Sequence, residues 1–297
     1  MEFIKLPTAE NVEAYIREVL KRHPCSKNFS AGKSVLGRKI NVLTVGNPCG
    51  CVLFVGGTHG SEWLTVLAVL RFFEEVCTAF EHEKMLFGVN IRQRLAKRGL
   101  AVIPVLNPDG TEISLAGKAG ALGAKKRIER LCEGDFCHWN ANAHGVDINH
   151  NFGAGWDALH AKEREKGIFG PAPGKYGGPR PFSEPETRAV CGFCSTFDVK
   201  RLYSFHSQGE EIYWYYGPRT PIVSRDMANE LAAECGYRVC FPNGMAASGG
   251  LKDWYIENFG RPGFTFEIGL GENPLPLKDF DEVYKKLRPA LFKALIM

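Results

Sequence analysis

His59 and Glu62, three residues apart in GGTHGSEW, are of the types that can grip one cation. Placed where a strand turns into a helix, that spacing sets both side chains on one side of the first helical turn. The pair alone is a common pattern, and Glu62 equally suits the first turn of a helix on electrostatic grounds. His206, in RLYSFHSQGEE, is the candidate third ligand. Two histidines and a glutamate, with a fourth position open for water, form a recurrent catalytic zinc set. Standing by itself, His206 would read as a core histidine. Glu267 ends the apolar run GFTFE. A carboxylate there can be a general base for metal-activated water, or half of a structural ion pair. Asp147, embedded in HGVDINHNF, can accept the second ring N–H of a ligand histidine, or cap a turn.

Positioning these groups takes a frame, and the hydrophobic pattern supplies one. Residues 51–57 (CVLFVGG) and 100–106 (LAVIPVL) are short apolar runs of the kind that form central strands, and residues 38–46 alternate as a half-buried strand does. Further strands are expected over 199–205 and 263–268. Helical spacing is found over 10–22, 62–80, 184–197, 224–236 and 277–294. Asn107-Pro108-Asp109-Gly110 is turn chemistry, and residues 111–145 and 154–183 read as long irregular excursions. Strands alternate with helices throughout, which predicts an α/β sheet covered on both faces. No linker divides the chain, so residues 1–297 are expected to form one domain. His59, Asn107, His206 and Glu267 all fall at or just past the ends of apolar strand runs, where open α/β sheets bind ligands.

Composition narrows the function classes. The 297 residues are 44% hydrophobic and 24% charged, which excludes a disordered tail, a fibre and a coiled coil. The net charge of +4 is spread along the chain, so nucleic acid is not the expected partner. No apolar run suffices to cross a bilayer, so no membrane partner is expected either. The opening MEFIKLPTAENVEAYIREVL lacks the layout of a secretory signal. The 10 cysteines therefore read mostly as reduced thiols, and a cytoplasmic location is expected. Cys191-x-x-Cys194 has no second such pair and reads as helix core packing.

HGSEW, NPDG, GVDINHNF, SFHSQ, ASGGLKDW and FTFE occur in the order found in zinc carboxypeptidases of the carboxypeptidase A type. The chain resembles that family from about residue 33 onward, with residues 1–32 as an N-terminal helix packing on the domain. Within it, WNANAHGVDINHNFGAGW, GPAPGKYGGPRPFSEPET and GGLKDWYI resemble the bacterial γ-D-glutamyl-diaminopimelate peptidases. The resemblance implies a single domain with a central mixed, mostly parallel sheet covered by helices on both faces, and one Zn2+ per chain. It implies that His59, Glu62 and His206 are the zinc ligands. It makes Glu267 the glutamate that promotes attack of water on the scissile carbonyl and then protonates the leaving amine. Asp147 matches the aspartate behind a ligand histidine.

The departures from the family pattern concern substrate. After Asn149, the digestive enzymes carry an arginine that grips the terminal carboxylate; here it is His150. A second arginine, which polarises the scissile carbonyl, falls at Asn140, the mobile tyrosine at Met245, and another arginine at Ser61. Arg127, Arg130 or Arg180 would have to bring a charge from a loop. Lys252 stands where the family sets the base of the pocket for the residue after the scissile bond. A lysine there favours a negative group, such as the distal carboxylate of diaminopimelate; its plainer reading is a surface lysine paired with Asp253. Asn140, Asn149, His150 and Lys252 are thus the expected substrate contacts. The expected activity is hydrolysis of a muropeptide-like small peptide at γ-D-Glu to diaminopimelate. The alternatives are a zinc amidohydrolase or deacylase on a small acyl-amino acid, and an inactive peptide-binding relative.

Overall fold

The computed structural model describes residues 5–297. The first four residues of the stretch read against an export signal lie outside the described residues. The helices are α1 (Ala9–Arg22), α2 (Trp63–Glu81), α3 (Ile91–Lys97), α4 (Pro108–Ala116), α5 (Lys125–Cys132), α6 (Trp156–Glu165), α7 (Pro185–Thr196), α8 (Ser224–Cys235), α9 (Leu251–Phe259) and α10 (Phe280–Ile296). The strands are β1 (Ser26–Lys33), β2 (Lys39–Val45), β3 (Val52–Val55), β4 (Met85–Leu86), β5 (Val89–Asn90), β6 (Leu100–Ile103), β7 (Arg201–His206), β8 (Glu211–Tyr213), β9 (Arg238–Cys240) and β10 (Gly263–Glu267). Eight of the strands form one sheet in the order β1-β2-β6-β3-β7-β10-β8-β9. The central four, β6, β3, β7 and β10, run parallel; β2 and β8 pair antiparallel with them on either side, β1 antiparallel with β2, and β9 parallel with β8. The fold is therefore a mixed α/β sheet with helices on both faces.

Central parallel strands are covered on both faces and so must be apolar throughout. VLFV of β3 and LAVI of β6 are wholly buried, as is every residue of β7. One face of the sheet is covered by α1, α2, α8 and α10, whose buried side chains form one cluster with Phe54, Tyr203 and Phe266. The other face is covered by α7 and α9, with Ile148 and Phe152, over Leu53, Val55 and Leu202. Cys194 of α7 is fully buried there and Cys191 packs against it. The segment before residue 33 holds α1 and also most of β1, which pairs antiparallel with β2. Among the described residues, no helix is long and apolar enough to cross a membrane.

Two stretches read as irregular are more ordered than their composition suggests. Asn107-Pro108-Asp109-Gly110 is a helix start: the Asn107 side chain accepts the Gly110 N–H at 2.9 Å, and Pro108 occupies the first helical turn. Residues 111–145 continue that helix, add α5, and close over a satellite core of Ile113, Ile128 and Trp139. In 154–183 the helix α6 begins directly after the left-handed Gly155. Glycines and charged residues on either side hide its periodicity.

Candidate metal centre and active site

Each candidate ligand is delivered by a strand end. The chain leaves β3 through Gly56 and Gly57 into the turn carrying His59, and Glu62 lies immediately before α2. Gly60 lets this turn pass close to neighbouring backbone, because a Cβ there would collide with the carbonyl oxygens of Trp139 and Gly110. His206 ends β7. Its register partner on β10 is Glu267, so the two side chains stand at the same level on adjacent parallel strands.

His59, Glu62 and His206 converge, their ligand atoms all lying within 4.8 Å of one another. His59 Nδ1 is 2.8 Å from Glu62 Oε1, His206 Nδ1 is 3.1 Å from Glu62 Oε2, and the two Nδ1 atoms are 3.3 Å apart. The outer nitrogens are held elsewhere: His59 Nε2 lies 3.2 Å from Asp147 Oδ1, and His206 Nε2 lies 3.1 Å from Ser204 Oγ. Asp147 is itself fixed by the backbone N–H groups of Asn149 and Lys175. These residues fit a metal. Two imidazole nitrogens face each other with room for one proton between them, and the buried Glu62 Oε2, though 3.1 Å from His206 Nδ1, has no well-aligned hydrogen bond among the described residues. A divalent cation would engage all three donors at once, and N, N and O is a zinc donor set. Burial works against the Glu62 charge, yet His59 and His206 outweigh it and hold its pKa down to about 2. Burial also opposes the His59 cation, but Glu62 and Asp147 raise its pKa well above the usual histidine range.

The cluster forms one wall of a cavity of about 420 Å³, which all nine candidate residues line. Glu267 reaches it with neither hydrogen bond nor ion pair among the described residues, and burial, then the Glu62 charge, raises its pKa well above the carboxylate range. Asn140 Oδ1 accepts the Ser61 hydroxyl at 2.5 Å, and Asn149 Oδ1 accepts the Leu251 N–H at 3.1 Å. His150 is not a free anchor: its Nδ1 lies 2.9 Å from Glu163 Oε1 and 3.1 Å from the Lys175 carbonyl. Lys252 is 4% exposed, so it is no surface lysine, yet it does pair with Asp253 and donates to the Tyr215 carbonyl at 2.9 Å. Arg127, Arg130 and Arg180 are exposed and line no part of the cavity. Its other cation is Lys175, in the GPAPGKYGGP loop. Composition did not single it out, and neither did it mark Tyr213 or Asn273. Asn273 is locked to Ser207, beside His206, by hydrogen bonds of 2.8 and 2.6 Å.

Fold and site together define a metal-dependent hydrolase. The zinc carboxypeptidase family matches residues 12–290, and the chain belongs to that family of peptide hydrolases. It is 30% identical over 274 residues to a γ-D-glutamyl-L-diamino acid endopeptidase 1 of Lysinibacillus sphaericus, covering 91% of this chain and 67% of that one. To YqgT, an uncharacterised protein of Bacillus subtilis strain 168, it is 31% identical over 289 residues, covering 96% and 76%. The solved structure of a carboxypeptidase A from Helicoverpa armigera superposes with a TM-score of 0.73 at 20% identity, covering 99% and 74%, and shares the fold. The family is zinc-dependent, and the His59–Glu62–His206 cluster can hold such an ion.

Proposed function

We propose that the chain binds one zinc ion through His59, Glu62 and His206 and hydrolyses an amide bond in cell-wall-derived peptides, at γ-D-glutamate to diaminopimelate. The observation that carries the chemistry is the convergence of two imidazoles and a carboxylate beside the unpartnered Glu267. When bound, zinc supplies Lewis acidity and lowers the pKa of the attacking water. Glu267 takes the proton of that water and passes it to the leaving amine, a role suited to a carboxylate whose pKa burial has raised. Asp147 holds His59 in the orientation that turns Nδ1 toward the cluster. Asn140 and Asn149 offer amide hydrogen bonds to the peptide, Lys175 brings positive charge to the cavity, and Lys252 and His150 line it already answered by Asp253 and Glu163. The endopeptidase name of the Lysinibacillus relative supports this bond class.

A second reading has one observation in its favour: no arginine lines the cavity, so the grip on a terminal carboxylate is weaker than in digestive carboxypeptidases. That leaves a deacylase of small acyl-amino acids as the alternative, its substrate carboxylate met by Lys175 rather than an arginine. Incubating the zinc-loaded protein with L-Ala-γ-D-Glu-diaminopimelate and with N-acyl amino acids, and identifying products by mass, separates the two. Release of free diaminopimelate is expected. Turnover of the acyl-amino acids alone would replace the peptidase reading by the second.

A further inference from the structure

A second, basic depression of about 700 Å³ lies at the opposite end of the sheet from the metal cluster. It forms where three parallel strands begin. Arg98 precedes β6, Lys200 and Arg201 stand at the start of β7, Arg261 precedes β10, and Lys293 of α10 closes one side. Three of these cations are already answered: Lys200 and Arg261 share Asp198, and Lys293 pairs with Glu230. Arg94 donates to the Ile296 carbonyl at 3.2 Å and to a main-chain oxygen of Met297 at 2.7 Å. Arg98 and Arg201 are left with no acidic partner among the described residues. Arg201 is only 5% exposed, and its Nη1 is buried with no hydrogen-bond partner.

A guanidinium buried without a partner is costly unless an anion completes it. Burial disfavours the Arg201 charge, the neighbouring Tyr203 hydroxyl offsets part of that, and Arg98 adds to the cost. Two unanswered guanidinium groups favour a dianion over a single carboxylate, and guanidinium geometry matches the oxygens of a phosphate. Val223, Met227 and Ile296 line the same depression and give an organic substituent something to pack on. We propose that Arg98 and Arg201 bind a phosphoryl group here, that of a small phosphate monoester, with inorganic phosphate as the weaker ligand of the same chemistry. The site is separate from the hydrolytic one. Arg201 and His206 stand at opposite ends of β7, roughly 17 Å apart at the usual strand rise.

The test is thermal unfolding of the zinc-loaded chain against inorganic phosphate, glycerol phosphate and acetate at constant ionic strength. Saturable rises of roughly 2–4 °C are expected with both phosphates, at lower concentration for the ester, and none with acetate. Arg98→Gln should erase the response and leave peptide hydrolysis unchanged. Arg201→Met should erase it too, while raising the melting temperature without phosphate, because it removes the unanswered charge. No saturable rise, an equal rise with acetate, or a response that survives Arg98→Gln would overturn the proposal. A tighter response to free phosphate than to the ester would overturn the monoester assignment.

Discussion

Glu267 enters the cavity unpartnered, so exchanging its carboxylate for an amide breaks no contact that holds the fold. Glu267→Gln is expected to lower kcat by about 10²–10⁴-fold, the usual worth of a general acid–base group, while zinc content by atomic absorption stays at wild-type level. Retained turnover would remove Glu267 from the proposed mechanism. Lys252 needs a different design, because its charge is buried against Asp253. Removing the lysine alone would strand a buried carboxylate and destabilise the chain by about 3–5 kcal/mol. The paired change Lys252→Met with Asp253→Asn avoids that. It is expected to reduce kcat/KM about 10-fold or more for a peptide with a carboxylate on the side chain after the scissile bond, and to spare its neutral amide. Equal effects on both peptides would show that Lys252 serves the fold rather than the pocket.

Among the elements, α7 carries the clearest pH effect. Glu186, in its first turn, is fully buried; its oxygens accept the Val35 N–H at 3.1 Å and the Asn142 amide at 3.1 Å. Burial raises its pKa from 4.5 to about 7. The folded chain therefore keeps this proton up to about pH 7, whereas the unfolded chain releases it near 4.5. Stability should fall as pH rises through that window, by an amount on the order of 3 kcal/mol from this group, and level off above it. His144, whose pKa is raised by its hydrogen bond to Glu184, contributes with the same sign. Urea unfolding at pH 5 and pH 8 should show the decline, and Glu186→Gln should flatten it. A wild-type chain equally stable at both values would contradict the assignment. Elements were legible in the sequence where burial constrains both faces: β3 and β6 are apolar runs, β7 is apolar between its polar ends except at Ser204, and α2 needs an apolar surface wide enough to meet both sheet and α10. They were illegible where three residues pair at an edge, as in β8 and β9, or where the helix is rich in charge, as in α6.

For the whole molecule, the same contrast separates the site from its surroundings. His59, His206 and Glu267 could be read from strand ends and the substrate residues from the family resemblance, and all nine candidates line one cavity, whereas Asn107, also at a strand end, caps α4 instead. Which other side chains answer them could not be read, because Glu163 of α6 reaches His150, and Lys175 the cavity, only through tertiary folding. The cluster lies past the ends of the central strands while the large cores lie on the sheet's faces. Zinc removal by a chelator is therefore expected to abolish hydrolysis, leave the far-ultraviolet circular dichroism unchanged, and be reversed by one equivalent of zinc. A chain that unfolds on chelation would show that the metal organises the fold.

His206 and Glu267 share one rung of the β7–β10 ladder, and this makes the protein unequally tolerant of changes in length. A single codon lost from either strand would set Phe266 or Ile268 opposite the imidazole and turn the carboxylate toward the other face. Codons gained or lost near Lys175 leave that rung untouched and alter what is admitted to it, provided the Lys175 N–H that holds Asp147 keeps its place. Natural variation in this enzyme should accordingly accumulate as insertions at the cavity mouth, and deletion scanning should find the two strands almost wholly intolerant.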